Sequence, residues 1–289
     1  MKIKELQIEG AKILRENNID NAVFDSKELL KYVFELNETD LFLRAFDEAA
    51  PEKEKMYLQY IAQRSTHYPL QYITHSAGFM HFDFFVDEGV LIPRQDTEIL
   101  VEEALKYVSE HYGKNPVKVL DMCTGSGCIG LSFQLERKAE GCNDEVYLVD
   151  ISEKALKIAE KNKSKLGAAA TIIQSDLYSA LDNSLKFDII LSNPPYIRSD
   201  VIPTLMEEVK DHEPMLALDG DEDGLKFYRK IIENAPDHLN PGGSIYLEIG
   251  FDQYEDTRKL LVDNHFTDIR LYKDLAGLDR VVYGRLAES

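Results

Sequence analysis

Four consecutive residues, Asn193-Pro194-Pro195-Tyr196, carry the most specific chemistry in this 289-residue chain. The prolines fix their own φ and donate no N–H, so their carbonyls are acceptors on a rigid turn. The Asn193 side chain adds another acceptor, and Tyr196 adds an aromatic face. Two acceptors beside a stacking face suit a planar –NH₂ group. Methylating such a nitrogen is hard because its lone pair is delocalised. Hydrogen bonds from its two protons to Asn193 Oδ1 and the Pro194 carbonyl would hold the nitrogen and favour the positive charge that develops on attack. A sulfonium methyl donor is already a good leaving group, so this chemistry needs neither metal nor covalent intermediate.

A second motif lies upstream. Gly125, Gly127 and Gly130 match GxGxxG, and Asp150 follows about twenty residues past the turn, the outline of a nucleotide-binding fingerprint. Its physical content is a tight turn, close backbone approach by a ligand, and a carboxylate for ribose hydroxyls. These features serve a nicotinamide dinucleotide or S-adenosylmethionine (AdoMet) alike. Asp121, just before the turn, favours AdoMet: a carboxylate there repels a pyrophosphate and attracts an α-ammonium and a sulfonium.

Both motifs need a scaffold that brings strand ends together. Up to about Ser65 the pattern is helical: Leu6, Gly10, Ile13 and Leu14 recur at helical spacing, Asp25-Ser26 suits a helix cap, and Pro51 suits a first turn. Gly78 to Ile92 is rich in aromatic and β-branched residues and reads as a β-hairpin linker; Thr97 then suits a helix cap. From Val117 strand and helix signals alternate. Val117–Met122, Glu145–Asp150, Thr171–Gln174, Phe187–Ser192 and Ser244–Ile249 read as strands, with Asp268–Tyr272 and Arg280–Gly284 as two more. This alternation predicts an α/β fold with a seven-stranded, Rossmann-like sheet. The Gly-rich turn then follows the first sheet strand and Asn193 the fourth, both where open parallel sheets bind ligands. The division predicted is a helical module over 1–75, a hairpin linker over 76–92 and an α/β domain over 93–289.

Composition narrows the partners. Lys plus Arg number 33 against 52 Asp plus Glu, a net charge of −19. Residues 1–75 carry only −3 of it, from ten basic and thirteen acidic residues, which leaves −16 on the α/β part. Affinity for nucleic acid draws heavily on Lys and Arg at phosphates, so this balance argues against it. The three cysteines, Cys123, Cys128 and Cys142, and the seven histidines lack metal-ligand spacing. The N-terminus has no long apolar stretch and no segment has the ~20 apolar residues that span a bilayer; a cytoplasmic location is the expectation.

With both motifs in this order the chain resembles the release-factor glutamine methyltransferases. The resemblance runs through Pro69–Ile73, Phe82–Phe85, Leu91–Glu98, Asp121–Gly127, Asp150, Ser175-Asp176 and Asn193–Tyr196, then Glu213-Pro214, Asp223–Leu225, Phe227-Tyr228 and Asp279-Arg280. It implies a helical N-terminal bundle, a hairpin linker and a seven-stranded AdoMet-dependent domain. The implied substrate is the glutamine side-chain amide in the Gly-Gly-Gln motif of peptide chain release factors. By the same resemblance, Cys123, Thr124, Gly125, Ser126 and Gly127 line the amino acid and ribose of AdoMet. Asp150 takes the ribose hydroxyls, Asp176 and Leu177 flank the adenine, and Asn193 through Tyr196 hold the glutamine amide. Cys123 stands where the family usually has Gly, and Leu177 where some members carry Trp. A glutamine on a ribosomal protein, the adenine amino group of DNA or RNA, and AdoMet binding without catalysis are the competing readings. Charge weighs against the nucleic-acid reading and the intact Asn193–Tyr196 motif against the last.

Overall fold

Leu6, Gly10 and Leu14 lie buried along one face of helix α1 (Ile3–Glu16), as their spacing requires. They meet α2 (Ala22–Phe34), α3 (Glu38–Leu43), α4 (Pro51–Arg64) and α5 (Leu70–Thr74) around a core that includes Leu29, Leu30, Val33, Tyr57 and Ile61. The structure, a computed structural model, describes residues 1–288. Pro51 occupies the first turn of α4. Asp25 and Ser26 do not cap α2, which begins three residues earlier at Ala22. Asp25 is instead buried and accepts from Arg64 Nε at 2.7 Å. Arg64 Nη2 donates to Glu208 Oε2 at 2.8 Å. Glu208, far along the chain, meets Arg64 because Met206–His212 clusters with Met1–Ser76 as one unit.

The second unit takes in Ala77–Leu205 and the residues from Glu213 onward. Strands β1 (Ala77–Phe79) and β2 (Phe82–Phe84) form an antiparallel hairpin with Ala77 opposite Phe84. It is shorter than the aromatic run suggests. At Phe85 the backbone is taken by a side chain: its N–H donates to Asn162 Oδ1 at 2.6 Å and its carbonyl accepts from Asn162 Nδ2 at 2.9 Å. The chain then passes a 3₁₀ turn (Gln95–Thr97) into α6 (Glu98–His111).

The remaining elements are β3 (Lys118–Met122), α7 (Cys128–Ala139), β4 (Glu145–Asp150), α8 (Glu153–Leu166), β5 (Thr171–Gln174) and β6 (Phe187–Ser192). After them come α9 (Glu207–Lys210), which belongs to the first unit, α10 (Met215–Leu218), α11 (Lys226–Asn234), β7 (Leu239–Glu248), α12 (Tyr254–Asp263), β8 (Phe266–Lys273) and β9 (Asp279–Leu286). The sheet order is β5-β4-β3-β6-β7-β9-β8. β3 to β7 run parallel, and β9 is antiparallel to both β7 and β8. The seven strands match the sequence expectation in number. β7 is longer than expected because it takes in Pro241-Gly242-Gly243, and β8 and β9 also extend at both ends. Apolar clusters lie under each face of the sheet, one including Leu100, Val119, Leu131 and Leu148, the other Leu120, Ile190, Tyr228 and Leu247. Burial on both faces is why β6 reads as a nearly unbroken apolar run. No helix among the described residues is long and apolar enough to cross a membrane.

Candidate active site

The order β4-β3-β6-β7 puts the carboxyl ends of four neighbouring parallel strands side by side. Asp150 ends β4, the Gly-rich turn follows β3, Asn193 follows β6, and Glu248 ends β7. A cavity of about 350 Å³ opens there, within the range of small-molecule sites.

The Gly-rich turn forms one wall. Gly125 and Gly127 have φ of +54° and +84°, which β-substituted residues seldom adopt. The Gly125 N–H donates to Asp150 Oδ2 at 2.9 Å, and Ser152 N–H donates to Asp150 Oδ1 at 2.9 Å. Asp150 therefore braces the turn while facing the cavity. Burial raises its pKa and these backbone N–H groups oppose the rise. Gly130 lets α7 approach β3: a Cβ there would lie 2.9 Å from Asp121 Cβ and 2.5 Å from Leu148 Cδ2.

Asp121 lies fully buried behind the turn rather than among the residues that line the cavity. Its Oδ2 accepts from Thr124 Oγ1 at 2.5 Å and Gly130 N–H at 2.9 Å. Burial pushes this carboxyl up to about 7, against the pull of those hydrogen bonds. A carboxyl whose folded pKa exceeds its unfolded value of 3.8 binds its proton more tightly when folded, so its contribution to stability is lost as pH rises from about 4 to about 7. Relative to Asp121→Asn, the wild type should lose ~2–3 kcal/mol between pH 5 and pH 8 in urea unfolding. A constant difference across that range would refute the ionisation assigned to Asp121.

Cys123, Thr124, Gly125, Ser126, Asp176 and Leu177 all line the cavity. Cys123 sits at φ +61°, in the left-handed region, with its side chain packed against the cluster that holds Leu120 and Met122. A Gly at that position would meet no strain, which is the physical content of the departure noted above. Burial raises the thiol pKa, and Cys128, also buried, is pushed up to about 12. Both thiols are free and behave as small apolar groups. Leu177 is likewise left-handed, at φ +50°.

Of the four motif residues, Asn193 and Pro195 line the cavity, while Pro194 is buried in the turn. The Tyr196 ring packs on the cluster of Tyr228 and Leu247, and its hydroxyl donates to Glu248 Oε1 at 3.1 Å. That ring is thus spent on holding the turn and does not line the cavity as a stacking face. The following loop supports the same turn. Gln253 Nε2 donates to the Tyr196 carbonyl at 2.9 Å. A Cβ at Gly220 would lie 2.8 Å from Tyr196 Cα, and one at Gly224 2.5 Å from the Tyr196 carbonyl oxygen. The acidic stretch Asp219–Asp223 is therefore more than a solvated loop: it is paired with Lys226 and Arg229 and packed on the motif.

Several residues here escaped the sequence reading. Arg94, which falls within the Leu91–Glu98 segment but is given no role by it, lines the cavity and donates to Glu213, whose carboxylate also accepts the Ile92 N–H at 3.3 Å. Asp96 lies 3.5 Å from Arg280, and Glu98 accepts the Met80 N–H. Thr97 occupies the position before α6, yet its hydroxyl makes no cap and donates to Glu248 Oε2 at 2.5 Å. Glu248, a lone carboxylate ending the apolar run Ile245–Leu247, is 2% exposed, and burial raises its pKa. That placement at a strand end was the available signal. Lys226, Phe227 and Lys230 of α11 complete the far wall.

Residues 5–74 match the family model described as PrmC N-terminal domain, and residues 97–221 match Methyltransferase small domain. A release factor glutamine methyltransferase of Clostridium acetobutylicum is 42% identical over 285 residues, 98% of each chain. The chain belongs to this family. Another member, from Bacillus cereus, is 35% identical over 99% of this chain and 100% of its own length. A solved T. thermophilus 16S rRNA N2 methyltransferase, in complex with AdoMet and guanosine, has a TM-score of 0.52 at 19% identity, covering 73% of this chain and 49% of that one. It shares the fold. The family's bundle, hairpin and seven-stranded sheet are those described above.

Proposed function

We propose that the chain transfers a methyl group from AdoMet to the side-chain amide nitrogen of the glutamine in the Gly-Gly-Gln motif of peptide chain release factors. The observation that carries this reading is the convergence of Asn193 and Pro195 with Asp150 and the Gly-rich turn on one cavity. Family membership supplies the substrate class, since the relatives carry that activity in their names.

The lining residues fit AdoMet by their chemistry. Asp150 offers a carboxylate to a ribose, Leu177 and Phe227 offer apolar contact to a purine, and Asp176 adds a second carboxylate to a lining that also holds Arg94, Lys226 and Lys230. AdoMet supplies an electrophilic methyl on a sulfonium leaving group. The chain's part is to position and stabilise. Asn193 Oδ1 and the Pro194 carbonyl accept the two amide protons, which aligns the nitrogen and favours its developing positive charge. Asp150 holds the Gly-rich turn and accepts from the ribose. Residues 1–75 recognise the protein substrate, and the reaction takes place in the cytoplasm.

The test is radiolabelled methyl transfer from AdoMet to purified release factors, total ribosomal proteins and nucleic acid in parallel. Label on release factor glutamine alone is expected. Label on a ribosomal protein or on adenine in preference to release factor would overturn the assignment.

A further inference from the structure

Asn193 must show its carbonyl oxygen, not its amino group, to an –NH₂ substrate. An amide turned the other way would set donor against donor. Oxygen and nitrogen of an Asn side chain have nearly the same shape, so shape alone does not impose the orientation. The surrounding donors and acceptors do.

Three groups form a chain. Glu248 is buried at the end of β7, pinned further by Tyr228, whose hydroxyl donates to the Glu248 carbonyl at 2.8 Å. The Thr97 hydroxyl donates to Glu248 Oε2 at 2.5 Å. A hydroxyl has one proton, so toward any other neighbour Thr97 Oγ1 acts as acceptor. That neighbour is the Asn193 amide, whose Nδ2 donates to Thr97 Oγ1 at 3.3 Å. With Nδ2 committed, Oδ1 is the atom available to a ligand. The other carboxylate oxygen, Oε1, accepts from the Tyr196 hydroxyl, so one carboxylate holds both ends of the tetrapeptide. Thr97 stands where a helix cap would be, but its hydroxyl does not cap.

We propose that Thr97 is a positioning residue for methyl transfer: its hydroxyl, oriented by Glu248, fixes the Asn193 amide with its oxygen toward the substrate nitrogen. The inference rests on the function proposed above. Thr97 also lines the cavity, but its hydroxyl is given to Glu248 and its part in this scheme is to orient Asn193. It acts through Asn193, and loss of its hydroxyl lets the amide turn over.

The experiment measures kcat, KM for release factor and the Kd of AdoMet in Thr97→Val, Thr97→Ser, Asn193→Ala and the Thr97→Val/Asn193→Ala double variant. Thermal melting identifies folded variants, and Thr97→Ala replaces Thr97→Val if the latter does not fold. Thr97→Val is expected to lower kcat by about tenfold, with KM and Kd within about twofold. Thr97→Ser keeps the hydroxyl and is expected to restore wild-type kcat. In the Asn193→Ala background Thr97→Val is expected to change nothing further, because the residue it orients is gone. Wild-type kcat in folded Thr97→Val, or a loss that adds in full to that of Asn193→Ala, would overturn the proposal while leaving the functional reading intact. Wild-type kcat in Asn193→Ala would overturn both.

Discussion

Asn193→Ala is expected to lower kcat for release factor methylation by about 10²–10³, the scale of removing one preorganised polar partner from a reacting centre. The reason is geometric. Asn193 lines the cavity at the end of β6, on a turn that two prolines, Gln253 and Glu248 hold in place. Nothing else in that turn supplies a side-chain acceptor to the cavity, since the Tyr196 hydroxyl is given to Glu248. AdoMet affinity should change far less, because Asp150 and the Gly-rich turn survive. Rapid-quench turnover of methyl label, beside equilibrium binding of AdoMet, separates the two quantities. Undiminished kcat would refute the role given to Asn193.

Asp150→Ala should have the reverse signature: the Kd of AdoMet rises by roughly 30–300-fold, with a smaller effect on kcat at saturating AdoMet. The carboxylate does two jobs. It accepts the Gly125 and Ser152 N–H groups at 2.9 Å each, and it faces the cavity where a ribose would donate. Its loss removes an acceptor from the ligand and leaves a left-handed turn without its brace. Asp150→Asn retains one acceptor oxygen and should lie between the two. Calorimetric titration of AdoMet into each variant measures this. An unaltered Kd in Asp150→Ala would remove Asp150 from the cofactor site.

The sheet was legible because its strands obey local rules. Glu145–Asp150, Thr171–Gln174 and Phe187–Ser192 are apolar or β-branched runs bounded by turn residues, and the structure starts and stops them at the expected residues. The site was legible for the same reason, since its motifs follow strand ends. What escaped was set by distant partners. The hairpin stops at Phe84 because Asn162 captures the next residue, and no periodicity near residue 85 reports on residue 162. Asp25 reads as a cap until Arg64 is known to meet it. Tyr196 reads as a stacking ring until Glu248 claims its hydroxyl. Thr97 reads as a cap for the same lack of knowledge. Each is a polar side chain whose obvious local use is overridden by a buried partner, and burial makes that partner costly to leave unmet.

Arg64 carries one more consequence, for synthesis. Its guanidinium is buried among the N-terminal helices and bonds to Glu208, 144 residues further on. Those helices leave the ribosome early but lack this partner until Glu208 has been made. At ~5–20 residues per second, making those 144 residues takes about 7–30 s. The helical unit is thus complete only once Met206–His212 has joined it, and for that interval Arg64 has Asp25 as its carboxylate partner and the Tyr68 carbonyl as an acceptor.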